Sequence, residues 1–146
     1  IAFYESMGFV NTDDFSGMAY SERNDMFYYG VIDNKIIARG HNLTEMLNDV
    51  TAHAEMQAIT AAANFLGGKY LHNCTLYVTL EPCQMCGGAL YWSQISKIVY
   101  GAHDEERGCI NLKTKLHPKT IIKGGVLGEE AALLLKRFFV EKRNLN

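Results

Sequence analysis

The pattern of apolar and polar positions first predicts a β-hairpin. Residues 28–32 and 35–39 are rich in apolar and β-branched side chains, and the pair Asp33-Asn34 between them is typical of a turn. The polar stretch 40–50 that follows is expected to be a loop. Further runs with the composition of strands lie at 75–80, 97–101 and 120–126.

Three segments have apolar residues at helical spacing. The first is expected to begin after Thr51 as its N-cap and to end at the glycine pair 67–68. The second should have Pro82 as its first residue and run to about residue 93. The third spans 128–143, and its apolar stripe consists of Leu134, Leu135, Phe138 and Phe139. Strands that alternate with such helices indicate βαβ units in a layered α/β fold.

Length and composition indicate a single domain over residues 1–146. The 146 residues are 48% hydrophobic, which is enough apolar material for one core. No stretch approaches the ~20 apolar residues of a membrane span, and no basic-then-apolar leader precedes the pattern. The four cysteines are therefore expected to be reduced thiols, and the protein to be cytoplasmic.

The net charge of −2 conceals an uneven distribution. From residue 107 to the C-terminus nine basic and three acidic residues give +6, which leaves −8 on residues 1–106. The stretch 107–123 alone contains five basic residues and no acid. Such a surface suits a polyanionic partner, although lysines that are merely solvated give the same pattern.

Candidate chemistry is concentrated in residues 51–56 and 80–86. Together they contain His53, Cys83 and Cys86, which are the ligand types of zinc, and Glu55 as an additional carboxylate. His53 and Glu55 are two residues apart, so on a helix they reach one centre only beyond its end. Both pairs are therefore expected in first turns, with Glu55 free to move protons beside the metal.

Two other interpretations of the Cys-x-x-Cys pair need consideration. A redox pair would give no role to His53 or Glu55. A closed structural zinc site needs a fourth protein ligand, for which the sequence offers Cys74, Cys109, His72 and His103. None of these forms a second close pair with the usual zinc-finger spacing, so the sequence favours a catalytic site that is open at its fourth position.

The joint pattern His-x-Glu and Pro-Cys-x-x-Cys is the known signature of zinc-dependent nucleobase deaminases. The stretches TAHAEMQAI (51–59), TLYVTLEPCQMCGGAL (75–90) and IVYGAHDEERG (98–108) further resemble the bacterial tRNA-specific adenosine deaminases. The resemblance extends from about residue 31 to the C-terminus. It implies a cytidine-deaminase-like three-layer α/β/α fold with a central mixed sheet of about five strands, one zinc ion per subunit and a homodimer.

The resemblance also implies an activity and substrate contacts. The reaction would convert adenosine to inosine at the wobble position of a tRNA anticodon stem-loop, with Glu55 transferring protons. Asn42 matches an asparagine that contacts the base or ribose, and its competing interpretation is a turn residue. The backbone N–H of Ala54 or Cys83 would bind the polar edge of the base. Residues 1–30 form an atypical segment, since 26–31 lack the family's pocket-lining Pro-Val-Gly-Ala strand.

RNA contacts are expected near the C-terminus. In the resembled family, residues matching Phe139, Lys142 and Arg143 face the anticodon loop, and core packing or solvation are the competing explanations. Asp104 lies in a loop that follows a strand end, where α/β sheets form ligand crevices. Apolar residues that appear surplus to the core, and hence available to a homodimer, are Tyr91, Trp92 and Ile95.

Two alternative functions follow from the same residues. The pair Tyr91-Trp92 resembles guanine deaminases, so the substrate would instead be a free base, guanine or cytosine. A non-catalytic, zinc-stabilised RNA-binding module would be a different class of protein. Glu55 argues against that module, since a structural zinc site does not require an unligated carboxylate.

Overall fold

The structure, a computed structural model, describes residues 28–33 and 35–144, and for residues 28–32 it describes the backbone alone. The expectation for an atypical N-terminal segment and for the pocket-lining side chains of 26–31 therefore lies outside the described residues. Within them the elements are β1 (Tyr28–Ile32), β2 (Lys35–Gly40), α1 (Thr44–Leu47), α2 (Ala54–Leu66), β3 (Thr75–Leu80), α3 (Gln84–Ser93), β4 (Lys97–Ala102), β5 (Ile121–Lys123) and α4 (Gly128–Asn144).

The strands form one mixed sheet of five in the order β2-β1-β3-β4-β5. The hairpin β1–β2 is antiparallel, as predicted, and β1 also pairs antiparallel with β3. Strands β3, β4 and β5 are parallel to one another. The predicted βαβ unit is thus present as β3–α3–β4, and the α/β class with a mixed central sheet is confirmed.

Helix α2 begins later than the sequence predicted. Its N-cap is His53, whose backbone is extended with φ −66° and ψ 154°. Thr51 does not cap the helix, because Asp49 Oδ1 accepts hydrogen bonds from its backbone N–H at 2.8 Å and its hydroxyl at 2.7 Å. The helix ends as expected, at Gly67 with φ +65°.

Three other boundaries differ from the prediction. Helix α3 begins at Gln84 with Cys83 as N-cap, so Pro82 precedes the helix instead of starting it. The loop 40–50 contains the single helical turn α1, and β5 is shorter than the stretch 120–126. These corrections leave both Cys-x-x-Cys and His-x-Glu at helix N-termini.

The helices pack against the sheet through two sets of buried side chains. Helices α2 and α3 share one core with the strands, in which the small residues Ala54, Ala58 and Ala62 allow α2 to lie close to its neighbours. Helix α4 packs through a second set: Leu80, Ala102, Ala131 and Leu135. Ile95 is buried in the first core, so the expectation that it is surplus to the core is wrong.

Among the described residues, none of the helices combines the length and apolar composition needed to cross a membrane.

Candidate active site

Three metal-ligand side chains meet where the N-termini of α2 and α3 approach each other. His53 Nδ1 lies 3.5 Å from Cys83 Sγ and 3.6 Å from Cys86 Sγ. The three donor atoms lie within 4.8 Å of one another, and no fourth His, Cys, Asp or Glu of the described chain belongs to the group. The structure therefore brings together all three predicted ligands.

The donor set fits a zinc ion in spacing as well as in chemistry. Tetrahedral zinc, with Zn–S of about 2.3 Å and Zn–N of about 2.0–2.1 Å, requires sulfur-to-nitrogen separations of about 3.6 Å. The two observed separations are 3.5 and 3.6 Å. Cys74 and Cys109 are buried free thiols outside the group, so among the described residues the closed four-ligand site has no fourth ligand.

The two thiols differ in acidity. A hydrogen bond from the Cys86 thiol, together with the backbone N–H groups of Cys86 and Met85 and the charge of His53, lowers the pKa of Cys83 to about 5 against the opposing effect of burial. The same hydrogen bond, burial and the negative charge of Glu55 raise the pKa of Cys86. Cys83 is thus the more acidic of the two thiols, and a divalent cation at this site would favour loss of the proton from Cys86 as well.

Glu55 lies beside the donor group but is not part of it. Its side chain is in the first turn of α2 and only 4% exposed. Burial, assisted by the nearby Cys83, raises the pKa of Glu55 to about 7, although a backbone hydrogen bond and His53 oppose the shift. A carboxyl group with this pKa accepts and returns protons near neutral pH.

A cavity of about 210 Å³ opens beside these residues. Its lining consists of Asn42, His53, Ala54, Glu55, Leu80, Glu81, Cys83, Asp104 and Arg107. Both predicted substrate-binding residues, Asn42 and Ala54, are therefore at the cavity. Asn42 also has the turn contact that its other interpretation predicted, because its Oδ1 accepts a hydrogen bond from the backbone N–H of Thr44 at 3.0 Å.

Glu81 is a site residue to which the sequence assigned no role. It follows β3, is 3% exposed and lines the cavity. Its Oε2 accepts the backbone N–H of Asp104 at 3.1 Å, and its Oε1 accepts those of Ile110 and Asn111 at 2.9 and 3.3 Å. The sequence did contain a signal for this role, because Glu81 directly follows an apolar strand. A carboxylate that is buried at such a position needs hydrogen-bond or ionic partners.

Glu81 holds the loop that follows β4 against the metal-ligand helix. A Cβ atom at Gly108 would overlap with Glu81 Oε1 and with the backbone oxygen of Asp104, so only glycine fits between loop and carboxylate. The next residue, Cys109, donates its N–H to Pro82 O at 2.8 Å. The loop is therefore fixed at both Glu81 and the residue that precedes Cys83.

The candidate RNA contacts gather in and beside the cavity. Asp104 lines the cavity, where its Oδ1 accepts the backbone N–H groups of Glu106 and Arg107 at 3.1 and 2.9 Å. The other three line an open groove of about 950 Å³: Phe139, Lys142 and Arg143, with Glu106 and Arg107. Arg107 lines both cavity and groove, so the two are adjacent, and its position was not singled out from the sequence.

Phe138 and Phe139 differ in environment although both belong to the predicted apolar stripe. Phe138 is half-buried, and Lys142 Nζ lies 5.6 Å from the centre of its ring. Phe139 is 48% exposed and forms part of the groove wall. Core packing thus describes Phe138 better than Phe139, whose ring is available to a ligand.

Several known proteins with similar sequences are described as deaminases. The MafB19-like deaminase family model matches residues 29–146. Over 119 residues the chain is 40% identical to the tRNA-specific adenosine deaminase of Agrobacterium fabrum, covering 77% of this chain and 78% of that protein. It is 44% identical to the tRNA-specific adenosine deaminase of Bacillus subtilis, covering 77% and 74% of the two chains.

Solved structures agree with the sequence comparisons. A structure from a study of A-to-I editing by tRNA:A34 deaminases at the wobble position of transfer RNA is 36% identical, with a TM-score of 0.69, covering 75% of this chain and 83% of that chain. A guanine deaminase from Bacillus subtilis is 44% identical over a smaller part, with a TM-score of 0.52, covering 53% of this chain and 50% of that chain.

Proposed function

Because the chain belongs to the MafB19-like deaminase family and groups with the tRNA-specific adenosine deaminases, we propose that it converts adenosine to inosine at the tRNA wobble position. The observation that carries the proposal is the meeting of His53, Cys83 and Cys86 beside a cavity that Glu55 also lines. The reaction is a hydrolysis: water adds to C6 of adenine, the C6–N6 bond breaks, and ammonia leaves.

His53, Cys83 and Cys86 are the residues that would hold one zinc ion per subunit. Zinc at these ligands supplies a Lewis acid that makes water nucleophilic at neutral pH. Glu55 takes the proton of the attacking water on its carboxylate and delivers it to the ring nitrogen beside C6. It then takes the proton of the hydroxyl that was added at C6 and delivers it to N6, so that ammonia leaves and C6 becomes a carbonyl carbon. The raised pKa of Glu55 suits both transfers.

Asn42 and Ala54 are proposed to orient the base. Ala54 is the first residue of α2, so its backbone N–H is one of those that have no partner within the helix. That N–H points a donor at the polar edge of a base in the cavity, while the Asn42 side chain supplies a second polar contact.

The groove beside the cavity is proposed to bind the anticodon loop. It combines the exposed ring of Phe139 with the cations Arg107, Lys142 and Arg143. Aromatic rings stack on splayed bases while cations contact phosphates, which is how single-stranded RNA is commonly bound. Continuity with the cavity through Arg107 allows one loop to occupy both.

Replacing Lys142 and Arg143 with alanine should raise the KM for tRNA and flatten the dependence of KM on salt, because contacts between cations and phosphates release counterions. Deamination of free adenosine should be unaffected. Steady-state kinetics at several salt concentrations measure both effects. Lys136→Ala with Arg137→Ala is a matched control on the same helix outside the groove. A KM for tRNA equal to that of the control would show that Lys142 and Arg143 are solvated and do not contact the RNA.

The proposal further includes a homodimer and a cytoplasmic location. Trp92 is 77% exposed at the end of α3 and Tyr91 beside it is half-buried, so an apolar surface is available to a second copy. Thiols that ligate zinc and an RNA substrate both suit the reducing cytoplasm. Residues 1–146 are proposed to act as one deaminase domain.

The activity is tested directly by offering three substrates and measuring ammonia release. We expect deamination of a tRNA anticodon stem-loop and little or none of free guanine or free cytosine. Deamination of guanine in preference to the stem-loop would support the free-base alternative, which the similarity of half the chain to a guanine deaminase favours. Inosine at the wobble position, detected by sequencing, would identify the reacting base.

A further inference from the structure

A second cationic surface lies at the edge of the sheet opposite the active site. It is formed by three segments, 69–73, 91–97 and 113–120, which together contain five lysines, two histidines and no acid. The segments precede or adjoin the N-terminal ends of β3, β4 and β5, whereas Glu81 and Asp104 follow the C-terminal ends of β3 and β4. Strands of six residues separate the two edges by about 20 Å.

Hydrogen bonds hold the three segments together. Asn73 donates its backbone N–H to Ser96 Oγ at 2.8 Å, and His72 Nε2 lies 2.9 Å from Gln94 Oε1. The hydroxyl of Thr120 donates to the carbonyl of Ile95 at 2.7 Å. The segments enclose a cavity of about 400 Å³, lined by His72, Asn73, Gln94, Ile95, Ser96, His117 and Lys119. The surface is thus organised and largely polar.

Aromatic rings are interleaved with the cations of this surface. Tyr70 is 44% exposed and stacks on His72 with 5.5 Å between ring centres and 12° between planes, and Lys69 Nζ lies 5.1 Å from its centre. On the other side of the cavity Lys115 Nζ lies 5.8 Å from the centre of Tyr91, which adjoins His117. Among the described residues, neither Lys115 nor Lys119 forms an ion pair.

We propose that this surface, which we call the lysine-rich edge (Tyr70, His72, Lys115, His117 and Lys119), binds the phosphate backbone of the RNA substrate outside the anticodon loop. The inference rests on the proposed function for the identity of the RNA. A polyanion complements three segments that contain no acid, and the exposed ring of Tyr70 adds stacking that a purely electrostatic contact lacks. Because the loop is held at the opposite edge of the sheet, the contact involves a different part of the same molecule.

The test compares full-length tRNA with an isolated anticodon stem-loop, using a variant that carries Lys115→Glu and Lys119→Glu. The KM for full-length tRNA should rise on the order of tenfold. The slope of log KM against log salt concentration should decrease by about one for each phosphate contact that is lost. The KM for the stem-loop and both kcat values should stay unchanged. The control carries Lys136→Glu and Arg137→Glu, the same change of charge on exposed residues of α4.

Three results would overturn the proposal. Equal KM values for tRNA in variant and control would show that the two lysines are merely solvated. An equal rise in the KM for the isolated stem-loop would show that they do not contact a separate part of the RNA. A change of mass in light scattering would make the edge an interface with a second copy. If the variant does not fold, Lys115→Ala with Lys119→Ala replaces it.

Direct binding keeps the failure of this inference apart from failure of the proposed function. Fluorescence anisotropy of labelled tRNA measures the contact without catalysis, whereas ammonia release from the stem-loop measures the activity. If deamination is absent but the variant still binds tRNA more weakly than the control, the lysine-rich edge remains an RNA-binding surface. Deamination of the stem-loop with no binding difference between variant and control would retain the function and reject the edge.

Discussion

Replacement of Glu55 by alanine should leave a folded protein with about one zinc ion per chain and lower kcat for tRNA deamination by at least ~10²–10⁴-fold. Glu55 is assigned to proton transfer, and the three ligand atoms assemble without its carboxylate. Glu55→Gln should behave alike, because a carboxamide fills the same buried space but does not exchange protons. Metal analysis and single-turnover kinetics measure the two properties separately.

A matched control is available in the same part of the chain. Glu45 lies in the first turn of α1, as Glu55 lies in that of α2, but Glu45 is exposed. Glu45→Gln therefore removes one carboxylate near the site without touching the cavity, and activity should be retained. Near-normal turnover in Glu55→Gln would refute the mechanism, and loss of zinc from it would instead place Glu55 among the ligands.

Replacement of Glu81 should have the second largest effect, on both stability and substrate handling. Glu81→Ala leaves three partly buried backbone N–H groups without their acceptor, at about 1 kcal/mol each because solvent reaches part of this site. Glu81→Gln retains one oxygen, so either Asp104 or the pair Ile110 and Asn111 then faces an amide donor. The free energy of unfolding from urea denaturation should fall in the order wild type, Gln, Ala.

The kinetic effect of Glu81→Gln follows from the loop that it holds. Asp104 and Arg107 line the cavity, and displacement by about 1 Å costs on the order of 10²-fold in rate. We expect kcat/KM for tRNA to fall more than kcat/KM for free adenosine, since Arg107 also lines the groove. Glu105→Gln, an exposed carboxylate of the same loop, is the control. Equal losses on both substrates would reduce Glu81 to a purely structural residue.

The sequence predicted the chemistry of the site better than the positions of its supports. His53, Cys83 and Cys86 were identified by ligand type and spacing, and a helix start near each pair was enough to bring them together. The N-caps themselves were misplaced, at Thr51 and before Pro82. Asp49 binds Thr51 and so delays the helix to His53, and such a competing side-chain contact does not show in a periodic pattern.

What could not be predicted depends on contacts between distant segments. In the sequence Glu81 is not distinguished from the other acidic residues. Its role depends on hydrogen bonds from the loop after β4, which folds back onto it. Ile95 reads as a surplus apolar residue beyond the end of α3, but the return of the chain into β4 buries it. Arg107 joins the cavity to the groove of α4 only because two elements far apart in sequence meet there.

The placement of the ligands at two helix ends also determines how a metal relates to the stability of the fold. Cys83 and Cys86 remain neighbours in any conformation, whereas His53 is thirty residues away from Cys83 and reaches it only in the native chain. An unfolded chain can therefore hold a metal through its thiol pair alone. Any metal affinity that His53 adds therefore stabilises the folded state relative to the unfolded state. This stabilisation increases with the concentration of free metal. The site closes a loop of the polypeptide as a crosslink does, but reversibly.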